Sequence, residues 1–376
     1  DFLQSLLDTH KEVMSFNGHL KLYIDFFQKS KCLNCKSFDL QDLAHEFVGH
    51  YIERFNSKYD FIERKDQLGV DENDSLRIDP PTFIKSFVSL LHNQDHTHKN
   101  ILLGIHAAYH ECLGYDFNHL KILFYHAHHF DEVYKFIEDF PTAIIVCTTR
   151  DPRAGFVSTI DNWKKFDELD QSNNTFDHDS YLFFFFHLKR ITEDEGRLVY
   201  SGKNHIIVKL ESLLNRQYMK DLSNLLKINF DESMLVPTFG GKIWYGDRIS
   251  GAKIRKFEWS EKRTYNGWQE KLLWREKYII SFIMHSKLKR NKYENIPITL
   301  YGFILVLVLS IVPFKYELRY ITVSYIRALF RKNRLRCLYF IFFTPIHFFK
   351  VRLIIIKYAT IQLFNKYSSK KFKFIP

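Results

Sequence analysis

The amino-acid sequence predicts an α/β fold of the doubly wound kind, in which helices cover a central parallel sheet, followed by a helical hydrophobic C-terminal tail. Two observations predict the first part: short apolar runs of strand length, and helical segments alternating with them. A third predicts the tail, because the chain becomes almost continuously apolar and basic after residue 296.

Residues 1–10 place Phe2, Leu3, Leu6 and Leu7 at helical spacing, so a helix opens the chain. Helices are also expected over 40–56 and 81–93, where apolar residues recur three or four apart, with the turn-rich stretch 68–80 ending at Pro80 and Pro81. Lys121 to Tyr125 (KILFY) and Ala143 to Thr148 (AIIVCT) read as strands covered on both faces, since they lack the alternation of a half-exposed strand. His205 to Lys209 (HIIVK) is a third. Phe130 to Phe140 is helical, and another helix starts after the second strand. Such alternation builds a sheet that binds ligands at the carboxyl ends of its strands.

From Ile296 to Phe314 there are 19 residues without a charge, bracketed by Pro297 and Pro313, which is the threshold length for a membrane span. Cys337 to Phe349 adds 13 uncharged residues with five Phe, and Val351 to Phe364 is apolar but broken by basic residues. These suit helices in the headgroup region with Lys and Arg facing anionic lipid. The expected organisation is therefore a domain over 1–290 and a membrane-associated tail over 291–376, with one transmembrane helix near 296–314.

The net charge of +11 belongs to that tail: Lys315 to Pro376 holds 14 Lys and Arg against one acid, Glu317, which leaves −2 for residues 1–314. A nucleic-acid-binding body would spread basic residues over its surface, so no nucleic-acid partner is expected. A hydrophobic content of 46% excludes a disordered chain. Five scattered cysteines (32, 35, 112, 147 and 337) exclude a disulfide framework, and the single CxxC of Cys32 and Cys35 lacks the second pair that a zinc site needs. Asp1 leads directly into an apolar helical pattern, as the interior of a longer chain would.

The stretch Phe140 to Trp163 carries the chemistry. Its strand ends at Thr149, and Arg150 sits at the carboxyl tip. Asp151 is a good N-cap and Pro152 a good first helical residue. An arginine fork there suits two phosphate oxygens, with helix N–H groups assisting, and Ser158 adds a hydroxyl two turns on. Arg150-Asp151-Pro152-Arg153 followed by Ser158 resembles the 3′-phosphate-binding motif of the sulfotransferases that use 3′-phosphoadenylyl sulfate (PAPS). Weaker similarities fall in the same order. The opening DFLQSLLDTHKEV resembles the helix after that family's 5′-phosphosulfate loop, Phe140-Pro141 is similar to the approach to the strand, and VKLESLL (208–214) is similar to a Tyr-Glu-Asp-Leu element, with Glu211 matching and Ser212 departing.

The resemblance covers roughly residues 1–285. It implies a P-loop-like three-layer fold, PAPS as sulfuryl donor, Arg150 and Ser158 on the 3′-phosphate, and transfer to a hydroxyl, or an amine, of a carbohydrate or lipid acceptor. It also implies a Gly/Ser/Thr-rich phosphosulfate loop with a basic residue just before Asp1, so the sequence is expected to be a fragment. Relatives with a histidine base place it at the tip of the strand before the arginine. Here KILFY runs into His126, followed by His128 and His129, so His126 is the expected base and His128 the alternative. No metal is expected, because no carboxylate joins these histidines at short range before Asp131. The alternative to an enzyme is a catalytically inactive nucleotide-binding fold acting as a membrane-associated interaction module.

Other patterns are set aside. His45-Glu46 and His50 are spaced five apart, so their rings diverge by about 140° on a helix and cannot share a metal. His92, His96 and His98 read as a solvated helix end and loop, Tyr181 to Phe186 as a buried helix, and Gly240, Gly241, Trp244 and Gly246 as a turn resembling a late segment of the sulfotransferase domain.

Overall fold

The computed structural model describes residues 1–35, 38–60, 63–169, 205–248, 267–319 and 334–364, together with 184, 188, 189, 192, 321, 322, 373 and 374. Two compact units emerge: Asp1–Thr148 with Leu198–Trp259 and Phe372–Pro376, and Thr149–Arg197 with Ser260–Lys371. The units are drawn differently from the segments 1–290 and 291–376, because 149–197 and 260–290 group with the tail.

In the first unit, helix α1 (Phe2–Leu7) buries Leu3, Leu6 and Leu7, and strand β1 (Val13–Ser15) follows it. Three capped helices come next. In α2 (Leu40–His50), α3 (Pro80–Leu91) and α4 (His98–Cys112) the side chains of Asp39, Asp79 and Thr97 accept the first-turn N–H groups of Gln41, Thr82 and Asn100. Their apolar faces bury Phe47, Phe83, Phe87, Ile105 and Tyr109 around Phe16 and Phe55. Strand β2 (Ile122–Phe124) pairs with β1 in parallel, Val13 opposite Ile122 and Ser15 opposite Phe124. Helix α5 (Phe130–Asp139) leads on to β3 (Ile145–Thr149).

After α6 (Pro152–Leu169), which belongs to the second unit, β4 (His205–Lys209) is the centre of a sheet ordered β3, β4, β7, with β7 (Lys373–Phe374) parallel to it. Helix α7 (Arg216–Leu226) packs Met219 and Leu222 on Leu6, Val13, Ile206 and Val208. The hairpin β5 (Thr238–Phe239) and β6 (Lys242–Ile243) turns at Gly240 and Gly241, whose φ of +56° and +79° suit glycine, and a Cβ on Gly240 would come 2.7 Å from a Leu76 methyl carbon.

The three apolar runs are thus strands and the parallel pairing is present in short sheets, which makes the chain mixed α/β. Two elements differ from expectation. Val13–Ser15 is a strand just beyond the helix expected over 1–10, where no strand was expected, and His98 starts α4 rather than lying in a loop, because Thr97 caps a run whose Ile101, Leu102, Ile105 and Tyr109 share one buried face.

The second unit holds α6, α8 (Trp274–Ile283), α9 (His285–Arg290), α10 (Leu300–Ser310) and α11 (Arg334–Phe364). Helices α8, α10 and α11 pack on one another and bury Ile279, Phe282, Val306, Val351 and Ile355. Gly302 allows the approach of α10, since a Cβ there would lie 2.8 Å from the Tyr278 hydroxyl and 3.0 Å from the Phe282 ring. Phe184 is helical and buried, and the rest of the run 181–186 lies outside the described residues. Leu300–Arg319 is a 20-residue stretch of mean hydropathy 1.6, 28% buried, long and apolar enough to cross a membrane. It starts later than Ile296 because Thr299 caps it, and its regular helix stops at Ser310, with a turn before residue 315.

Candidate functional site

The carboxyl ends of β1 and β2 bring together residues far apart in the chain. Leaving β1, the chain runs through Phe16, Asn17, Gly18 and His19; leaving β2, it runs through Tyr125, His126, Ala127, His128 and His129. Gln4 of α1 ties the two exits together. Its amide nitrogen donates to the Phe16 carbonyl (2.5 Å) and to Ser15 Oγ (3.2 Å), while its oxygen accepts the Gly18 N–H (3.2 Å) and the His126 Nδ1–H (2.9 Å). This arrangement leaves Nε2 of His126 as the basic nitrogen. Burial holds the pKa of His126 well below the ordinary imidazole value, and the N-terminal ammonium and Lys65 act in the same direction.

His19 joins the cluster from the β1 side. Its ring stacks on His128 at 4.3 Å and lies 5.6 Å from that of His126, centroid to centroid. Its Nε2 is 2.7 Å from Oε2 of Glu132 on α5, a fully buried carboxylate whose other oxygen accepts the Tyr125 hydroxyl at 2.5 Å. A carboxylate so placed orients the ring, with Nε2–H donating to it and Nδ1 left as the acceptor nitrogen. Asp1, His126 and His128 bring one donor atom each to within 4.8 Å of one another, so this group, unlike the Cys32 and Cys35 pair, has the geometry to hold a metal ion.

Two cations lie nearby, Arg54 partly buried and Lys65 buried. Arg54 packs against Gly18, where a Cβ would meet its guanidinium carbon at 2.6 Å. Lys65 contacts Glu63 and lies 3.7 Å from Asp60; its burial, aided by Arg54, pushes its pKa down to about 7.

In the second unit, Arg150 follows β3 and is half-buried. Asp151 caps α6 as its residue type predicts: Oδ1 accepts the Arg153 N–H at 2.9 Å, and its carbonyl accepts the Gly155 N–H at 2.8 Å. Arg153 turns inward and forms a buried pair with Asp151 (Nη2 to Oδ2, 2.7 Å), with its guanidinium 4.3 Å above the Trp268 ring. The two arginines of the motif therefore differ in surroundings. The helix N–H groups expected to assist a phosphate are also less available, since Pro152 has none and Asp151 takes that of Arg153. Ser158 is partly exposed one turn after Gly155, and nothing lies within 4 Å of the place a Gly155 Cβ would occupy. Glu211 is buried in a short 3₁₀ turn after β4.

The other histidine patterns have local partners. His50 pairs with Asp25 at 3.2 Å, and His106 is buried with Nδ1 donating to the Leu102 carbonyl at 2.8 Å. His19, Glu132 and Gln4 are absent from the sequence-derived site. Nothing in the pattern around Gly18-His19 marks them, because their contacts span 113 and 122 residues. Comparison with family models, with curated proteins and with solved structures finds no match to this chain.

Proposed function

We propose that the chain is a PAPS-dependent sulfotransferase with a P-loop-like three-layer architecture, associated with a membrane through residues 296–376. It transfers a sulfuryl group to a hydroxyl, or an amine, of a carbohydrate or lipid acceptor. One observation carries the reading: Arg150 stands at the carboxyl tip of a strand and directly before an Asp151-capped helix, on which Ser158 is partly exposed and nothing lies within 4 Å of the place a Gly155 Cβ would occupy. In this reading the Arg150 fork and the Ser158 hydroxyl hold the 3′-phosphate, and Arg153 holds the turn in shape.

The reaction forms a bond between the acceptor oxygen and sulfur as the bond from sulfur to the 5′-phosphate oxygen breaks, releasing 3′-phosphoadenosine 5′-phosphate. The acceptor proton passes to a base, and positioning with charge stabilisation supplies the rest of the acceleration. No step needs a metal. His126 is the base by its position at the tip of β2. A second assignment, His19, is favoured by the Glu132 carboxylate held 2.7 Å from its ring. Burial makes His126 the weaker base of its type, since imidazolium forms there against desolvation. Incubation of the full-length chain with sulfur-labelled PAPS and a panel of carbohydrate and lipid acceptors tests the activity. Label appearing in one acceptor class supports it, and PAPS left intact with every acceptor refutes it.

A further inference from the structure

Of the 23 large apolar side chains exposed among the described residues, 14 fall between Leu300 and Phe364, a concentration that marks an interaction surface rather than scattered exposure. On α11, Phe342, Ile346, Phe349, Leu353 and Ile356 are exposed at alternating spacings of four and three, while Thr344, Val351, Ile355 and Ala359 on the opposite side are buried. On α10, Tyr301, Ile304, Val308 and Ile311 are exposed, and Gly302, Val306 and Ser310 face the packed side. Each helix thus buries one face within the unit and offers a second apolar face outward.

The charges around this surface choose its occupant. Lys350 and Lys357 are exposed at the flank of the α11 stripe, about 80° and 60° around the helix from Phe342. The one acid after residue 314, Glu317, is turned inward against Arg352, whose Nε also donates to the Ser310 carbonyl at 2.8 Å. The outward side is therefore apolar with a basic margin, which matches an anionic bilayer.

The same contacts oppose a crossing. The regular helix Leu300–Ser310 has 11 residues and rises only about 16 Å, roughly half of a hydrocarbon core. The turn after it is tied to the first turn of α8: Arg275 donates to the Val312 and Pro313 carbonyls at 2.8 and 2.6 Å, and the buried Glu276 accepts the Lys315 N–H. Straightening Leu300–Arg319 into one span would strip Arg275 and Glu276 of these partners. Helix α11 carries Lys350, Arg352 and Lys357 near its middle, where a span would place them in lipid.

We infer that α10 and α11 form a monotopic anchor, whose exposed faces lie in the boundary between headgroups and acyl chains of one anionic leaflet without crossing it. The inference stands independently of the sulfuryl-transfer reading. The test uses the full-length chain with its native cysteines changed to serine. In sealed vesicles from expressing cells, an impermeant thiol reagent should label Glu294→Cys and Arg319→Cys from the same side. Labelling from opposite sides means that the stretch spans, and overturns the inference. Purified protein should sediment with vesicles of phosphatidylcholine and phosphatidylserine. Changing both Lys350 and Lys357 to Gln, which alters only exposed side chains, should weaken binding about thirtyfold, at ~1 kcal/mol per basic residue. Equal binding of that variant, or a protein that ignores vesicles and instead dimerises until Phe349→Lys is introduced, also overturns it.

Discussion

Replacing Arg153 with alanine should damage stability and spare nucleotide binding. The Arg153 guanidinium reaches the Asp151 carboxylate with Nη2 at 2.7 Å and Nε at 3.0 Å, lies 4.3 Å above Trp268, and is only 4% exposed beside a fully buried Asp151. Removing the cation leaves that carboxylate buried without its main partner, at a cost of about 3–5 kcal/mol. Changing Asp151 to Asn and Arg153 to Met together removes both charges and should restore most of the loss. Urea unfolding followed by circular dichroism reads the stability, and calorimetry on the folded protein reads affinity for 3′-phosphoadenosine 5′-phosphate. The expected result is a much lower midpoint for Arg153→Ala, a largely recovered double variant, and an affinity within about threefold of the parent. An unchanged midpoint with lost affinity would make Arg153 the phosphate ligand and refute the division of labour between the two arginines.

The histidine cluster and the buried His106 give further outcomes. Changing the base to Asn should lower kcat by about 10²–10⁴-fold and leave nucleotide affinity intact. Comparing His19→Asn with His126→Asn identifies the base, and full activity in both variants removes the base from this cluster. If His19 is the base, Glu132→Gln should lower kcat and alter the pH profile while Glu132→Asp partly restores both; an unshifted profile would make Glu132 purely structural. Burial pushes the His106 pKa down to about 4, so the unfolded chain takes up this proton near its ordinary pKa while the native state does not. That contribution to stability is complete above the unfolded pKa of about 6.5 and falls away between about 6.5 and 4, by roughly 3 kcal/mol in total. Urea midpoints at neutral and acid pH should therefore differ less for His106→Gln than for the parent, and identical acid sensitivity would show that His106 is not the group responsible.

Local chemistry was legible in the sequence where a few adjacent residues decide the outcome. KILFY, AIIVCT and HIIVK each hold at least three consecutive apolar residues and became β2, β3 and β4, and Asp151-Pro152 carries its cap and first helical position in two residues. Val13–Ser15 was hidden because three residues give no period to read, and its strand exists only through pairing with Ile122–Phe124. The site divides in the same way. The tip position of His126 follows from the end of β2, whereas the pairing of His19 with Glu132 depends on a fold that brings the exit of β1 against α5. Arg153 had no role legible in the sequence, and its inward pairing with Asp151 beneath Trp268 depends on packing between distant segments.

The central claim is that Arg150 belongs to a donor-nucleotide site. Titration calorimetry of 3′-phosphoadenosine 5′-phosphate into the full-length chain and into Arg150→Ala tests it most directly. The parent should bind, and the variant should lose about 1.5–3 kcal/mol, a tenfold to hundredfold weaker affinity, as expected for a charged hydrogen-bonding group. No heat of binding from the folded parent, or equal affinity in the two proteins, would contradict it.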